Sequence, residues 1–310
     1  MTVADGSQVR LADVTEAIIG TTPATPTFQT MRYVSSDIRI SKQTDIPDEI
    51  RADRNVASIV DVGRMVQGTI NTLLSYETYD KWFERLLCST WSANVLKNGV
   101  QHQAGTLEKM FEQGATDTFI RYVACRWNTL DLRLSAKQSI SANWGIMGIR
   151  SPDPTSAILT GATYTAATDT PVMNAGLNVS ELAFAGIANA PKVQAMNVSI
   201  RNNIYANDVV GSYEPDSHGL GRFEVTGSLT TLFENMDTYS AVLSHSDVGI
   251  SMTLTDELGN AYAIALPKVK LLDGGPTVGG NGRAVLLEVP FQARYDSTSG
   301  ASISITRTPA

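Results

Sequence analysis

Cationic charge, cysteine, histidine and long apolar runs are all scarce in this chain of 310 residues. With 24 Lys and Arg against 31 Asp and Glu, it lacks the cationic surface that nucleic-acid binding needs to displace counterions from phosphate. Cys88 and Cys125, the two cysteines, offer neither a metal-ligand spacing nor a disulfide framework, and read as reduced thiols in the core or on a helix. His102, His218 and His245 stand apart, with no pair at helical or hairpin spacing to hold a metal. No apolar run approaches the roughly 20 residues that cross a bilayer. The opening MTVADGSQVR has no basic-then-apolar signal pattern, so synthesis in a cytosol is expected, without a membrane partner.

What the chain does have is a unit stated twice. VGRMVQGTINTLLSYETYDKWFERLL (Val62 to Leu87) and LGRFEVTGSLTTLFENMDTYSAVL (Leu220 to Leu243) share one order of parts. Each has Gly-Arg (Gly63-Arg64, Gly221-Arg222), an alternating run through a glycine (Gly68, Gly227), an apolar pair, and Thr-Tyr entering a helical pattern. FQTMRYVSSDIRIS (Phe28 to Ser41) resembles VQAMNVSIRNNIYA (Val193 to Ala206). TFIRYVACRWNTLDL (Thr118 to Leu132) sits where AYAIALPKVKLLD (Ala261 to Asp273) sits. Three matches in one order favour internal duplication.

Within each copy the signals are mostly strand. LDLRLS, MNVSIRN and FEVTGSLTTLF alternate apolar and polar residues with period two, which predicts antiparallel sheets with one buried and one wet face. RAVLLEVPFQARY is β-rich despite its proline, and TDELGN and DGGPTVGGNG are turn clusters. Tyr79, Trp82, Phe83, Leu86 and Leu87 recur at helical spacing; MDTYSAVLSH is the shorter counterpart, with Asn235 or Asp237 as its expected cap. The expected fold class is mainly β: two tandem duplicated β-sandwich or partial-barrel units, each with a flanking α-helix. The first unit covers 1–150 and the second 176–310. Between them, 151–175 holds the Pro- and Thr-rich SPDPTSAILTGATYTAATDTP, an extended crossing.

No catalytic constellation emerges. DGGPTVGGNGR lacks the Gly-Lys-Ser/Thr ending of a phosphate loop and leads into a strand. Asp216-Ser217-His218 has the residue types of a hydrolytic triad, but neighbours in sequence rarely give its geometry. Asn178-Val-Ser180 and Asn197-Val-Ser199 fit a glycosylation pattern that has no meaning without secretion. Neither cofactor nor metal is expected, and the chain reads as building material rather than an enzyme. One charged stretch stands out, Thr44 to Asp61, where Asp45, Asp48, Glu49, Arg51, Asp53 and Arg54 crowd together. Its counterpart, Asn207 to Gly219, is also long and acidic, with Glu214 and Asp216. Long charged loops at matched places suggest docking on another subunit.

TEAIIGTTPATPTFQTMRY, DEIRADRNVASIVDVGRMVQGTINTLLSYETYD, TYTAATDTPVMNAG and GLGRFEVTGSLTTLFENMDTYSAVL together resemble the tail tube proteins of long-tailed, siphophage-like bacteriophages, in the larger tail tube family. The resemblance spans about Thr15 to Ile305. It implies a structural virion protein, made in the host bacterial cytoplasm, that polymerises into stacked rings around a tape-measure protein. The hollow tube conducts genomic DNA without specific binding and meets tail terminator and distal tail proteins at its ends. Rings of this fold are usually sixfold, so a duplicated chain is expected to build homotrimeric pseudo-hexameric rings, with homohexameric rings as the alternative. The charged arm Asp45–Arg54 is the expected contact between rings. Thr69, Asn71, Asp131, Arg133, Ser228 and Thr230 are candidates for a lumen kept free of DNA adhesion by carboxylates. The rival readings are a single-ring tail component (terminator or distal tail protein), an adhesive β-sandwich module and a two-domain hydrolase. The adhesive module would need exposed aromatic platforms, whereas Trp82, Trp91, Trp127 and Trp144 lie in or beside helix and strand patterns.

Overall fold

Period-two alternation becomes strand wherever the sequence shows it. The computed structural model describes residues 3–310; Met1 and Thr2, where the first unit was expected to begin, lie outside the described residues. The chain is mainly β, 48% strand and 6% helix. Its first half holds β1 (Arg10–Thr15), β2 (Thr27–Thr30), β3 (Ser35–Ser36), β4 (Arg39–Asp45), β5 (Val60–Leu73), α1 (Asp80–Leu86), β6 (Val95–Lys97), β7 (Gly105–Phe111), β8 (Thr118–Ser135) and β9 (Ser141–Gly148). β10 (Thr163–Thr165) lies in the connecting stretch. The second half holds β11 (Val179–Ala185), β12 (Val193–Arg201), β13 (Tyr205–Asn207), β14 (Ser217–Gly219), β15 (Glu224–Leu232), α2 (Asp237–Ser244), β16 (Asp247–Thr255), β17 (Ala261–Leu271), β18 (Pro276–Thr277), β19 (Leu286–Ala293) and β20 (Ser304–Thr308).

Both halves pair their strands in one order. In the first, β4 pairs β5, β5 pairs β9, β9 pairs β8, β8 pairs β7 and β7 pairs β1. In the second, β12 pairs β15, β15 pairs β19, β19 pairs β17, β17 pairs β16 and β16 pairs β11. β8 is long enough to serve two sheets. Residues up to Cys125 pair with β7, those from Arg126 pair with β9, and a bulge at Trp127/Thr129 re-aims the strand. β17 also serves two neighbours, pairing β16 along 261–270 and β19 along 269–271. Across the join β8 pairs β12, from Thr129↔Arg201 to Ser135↔Ala195, so four strands of each half form one continuous sheet.

That sheet has two opposite faces. One cross-strand row reads Ser35, Asn71, Asn143, Asp131, Ser199, Thr226, Gln292 and Lys270. The adjoining row on the other face reads Ile70, Trp144, Leu130, Ile200 and Val225, all buried. Against this apolar face pack α1 and the second sheet of each half. Trp82 of α1 meets Trp127 at 5.4 Å and Trp144 edge-on at 5.4 Å. The indole N–H of Trp82 and the Arg85 guanidinium both donate to buried Asp13 of β1, at 3.1 and 2.7 Å. Three of the four tryptophans are fully buried, which removes the aromatic platform of an adhesive module.

One apolar core cluster runs through both halves. Tyr262 of β17 donates to Asp80 at the start of α1, and Arg307 of β20 pairs with the same carboxylate. Burial pushes the Asp80 carboxyl above its ordinary range, against the opposing pull of these partners. β20 also pairs β6 of the first half.

Four expectations need correction. The connecting stretch is extended but fastened: β10 pairs parallel with β2, and Tyr164 donates to Glu108 at 2.6 Å and stacks on Phe28 in a small second apolar cluster. That parallel pair departs from the antiparallel rule. Neither expected cap closes α2, because Asp237 is already helical and Asn235 accepts only the Asp237 N–H. Matching Phe28–Ser41 with Val193–Ala206 is displaced by five residues. Ile38 lies against Gly68 and Val198 against Gly227, so Ile38 and Val198 hold matching places.

Those two glycines are required by close approach. A Cβ at Gly68 would lie 2.5 Å from the Ile38 Cα, and one at Gly227 would lie 2.3 Å from the Phe291 ring. Gly227→Ala is expected to cost roughly 1–3 kcal/mol in urea unfolding through overpacking, as is Gly68→Ala. Gly275→Ala, with no atom near its Cβ, is expected to stay within about 0.5 kcal/mol of the parent.

Candidate assembly interface

Among the described residues, the continuous sheet ends in two open borders. β4 pairs only with β5 at one end, and β18 only with β19 at the other. An exposed row of backbone N–H and C=O groups is a template for another chain. The second border is short. Where β8 offers seven residues to β12, β17 stops at Leu271 and a Gly-Gly turn leads to the two residues of β18. The segment expected as a turn, Asp273 to Gly282, is thus turn and edge strand together, feeding β19 rather than a helix.

The polar face carries every residue singled out for a lumen. Thr69, Asn71, Asp131, Arg133, Ser228 and Thr230 share it by register. Both signs of charge share it: Asp37, Asp131, Glu224 and Glu288 lie with Arg39, Arg133, Arg201 and Lys270 among hydroxyls and amides, and Lys268 and Arg294 beside them pair with Asp296 and Asp247. The acidic net charge of the chain therefore resides elsewhere.

Beyond the β4–β5 end of the sheet, residues 46–59 form an arm exposed nearly throughout. Asp45 closes β4 opposite Val60. Arg51 and Asp53 pair with each other at 3.0 Å, which holds the Asp53 carboxyl down at about 2. Arg54 takes a left-handed backbone, φ 59°, to turn the tip. Asp48 and Glu49 have no ion pair or hydrogen bond among the described residues. Ile46, Ile50, Val56 and Ile59 are also exposed, Ile50 completely. Uncovered apolar surface of this extent is a feature of interaction sites.

The matching loop of the second half, residues 208–216, is already docked. It folds back across the end of the first half, where the Arg64 N–H donates to the Tyr213 carbonyl at 2.8 Å and Arg64 pairs with Glu214 at 3.0 Å. Gly63 lies beneath it, 3.6 Å from the Tyr213 carbonyl at its Cβ position, and Asp216 stays exposed. At the other glycine-arginine, Gly221 packs on the Asn203 carbonyl and Arg222 pairs only with Glu224.

Under the docked loop lies a cleft of about 780 Å³ with a feature the sequence hid. Arg126, 5% exposed, donates to His102 Nδ1 at 2.8 Å and to the His218 carbonyl at 3.2 Å, with no carboxylate partner among the described residues. The Asp216-Ser217-His218 run makes no relay. Ser217 accepts from Asn207, and neither ring nitrogen of buried His218 has a partner. His245 is a left-handed helix cap whose carbonyl takes Lys270. Cys88 and Cys125 are both free and buried. No helix among the described residues is long and apolar enough to cross a membrane.

The family model described as phage tail tube protein matches residues 6–293. The chain belongs to the phage tail tube family. No curated protein sequence matches it. Membership makes the chain a structural component of a virion tail.

Burial and then Arg126 hold the His218 imidazole down at about 4. An unfolded histidine, near 6.5, takes a proton that the folded one refuses, so this group removes stability as pH falls from about 6.5 to 4. The midpoint of urea unfolding is expected to drop across that window, and His218→Gln to flatten the drop.

Proposed function

We propose that this chain is the major tube protein, and that three copies close each ring by repeating between molecules the junction that β8 and β12 make within one. The β8–β12 pairing is the observation that carries the reading. The matching strands, β17–β18 and β4, are the two borders left open. Leu132 sits opposite Ala142 and Val198; Pro276 sits opposite Leu287, at the place matching Ala142. The internal register therefore places Pro276 beside Ile38 of the next copy. Because both halves follow the same order, three chains present six four-strand sheets, and the closed circle covers both borders of the continuous sheet. The repeat in the sequence is then an internal duplication serving a pseudo-sixfold ring.

The balanced polar face lines the bore in this arrangement. Phosphate passes a surface of hydroxyls and amides whose cations are matched by carboxylates, so no counterion release binds the strand to the wall. Rings stack around a tape-measure protein, meet terminator and distal tail proteins at the ends, and later conduct genomic DNA. The chain performs no chemistry in this role.

The Gly-rich border is expected to become a full strand on assembly. Amide exchange of residues 272–279 and 35–43 should slow by about 100-fold or more between monomer and tube, as ladder hydrogen bonds form. Equal rates in both states, with tubes visible by negative stain, contradict the proposed junction. Negative stain also separates the rivals: purified protein forming single rings that never lengthen fits a terminator or distal ring instead.

A further inference from the structure

We infer that the arm, residues 46–59, is a lateral clamp that lies across the second half of the neighbouring copy in the same ring, and reaches the next ring only with its surplus length. The inference rests on the proposed ring. Its template is inside the molecule: loop 208–216, at the matching place, lies across the first half and is held there by Arg64 and by the cleft around Arg126. With β12 beside β8, that loop crosses the strand ends toward β4. Repeating the junction puts β4 of a neighbour beside β17–β18, and its arm then crosses the strand ends of the second half toward β12.

The receiving surface has the features the template uses. Arg64 offers its backbone N–H to the docked loop; at the same end of the second half, one residue out of register with Arg64, the Arg222 N–H has no acceptor among the described residues. The Arg222 side chain is 80% exposed although it pairs with Glu224. Lys268, Lys270 and Arg294 stand at the same end, where they share two carboxylates, Asp247 and Asp296. Asp48 and Glu49 are the unpaired carboxylates of the arm. Tyr295, 60% exposed, is uncovered there, as Ile46 and Ile50 are on the arm. Charge and apolar surface therefore complement each other. The docked loop spans residues 208–216 and the arm 46–59, so the arm exceeds what the lateral crossing needs.

The test places one cysteine on the arm and one on its receiver, Glu49→Cys with Arg222→Cys. Both sites are exposed, and the native Cys88 and Cys125 are buried. Tubes of the double variant are treated with a short bismaleimide and run on a denaturing gel. A lateral clamp links each copy to the next around a closed ring, so the expected ladder shows dimer and trimer and stops. A ladder that climbs without a stop places the arm between rings and overturns the inference, as does the absence of cross-links in well-formed tubes. A ladder that stops at six keeps the lateral clamp and overturns the three-copy ring instead.

Discussion

The hydrogen-bonded seam between β8 and β12 is the constraint on which the rest of this molecule depends. A strand border left open in water invites pairing with any other chain, and covering it by closure is the one solution that removes it. Within the chain the seam satisfies one such border, from Thr129↔Arg201 to Ser135↔Ala195. The same architecture leaves an identical problem at each end. In the ring proposed above, tube formation needs no specialised glue, because every seam is alike.

The seam is held in place by what packs behind it. Asn202, one residue past β12, donates to the carbonyls of Leu86 at the end of α1 and of Trp127 in β8. α1 is in turn fixed by the Asp13–Arg85 pair beneath it and by Tyr262 and Arg307 from the second half. A buried pair of this kind adds little net stability, but loss of one partner strands the other charge in the core. Geometry at the seam is thus set by contacts that neither half makes alone. This is why the single core extends through both.

Much of this was legible in the sequence. Period two in LDLRLS, MNVSIRN and FEVTGSLTTLF marked strands because one face of the sheet is wet and one dry. Gly68 and Gly227 stood out in sequence, and neither position has room for a Cβ. Other features were hidden for physical reasons. Residue-type matching misaligned the border strands by five, since side-chain chemistry on an edge is loosely constrained while backbone register is not. The meeting of His102 and His218 on Arg126 joins residues 24 and 92 positions away, with no local pattern to announce it. The balanced polar face was invisible in a net charge of −7, because total charge says nothing about which face carries it. The docked loop and the free arm look alike as sequences; only the fold shows that one has found its receiver.

The most direct test of the three-copy seam is the rotational symmetry and chain count of a tube imaged by cryo-electron microscopy. Three full-length chains per ring, with Ile38 of one copy beside Pro276 of the next, is the predicted result. Six full-length chains per ring, or a ring joined through surfaces other than these two borders, would contradict it.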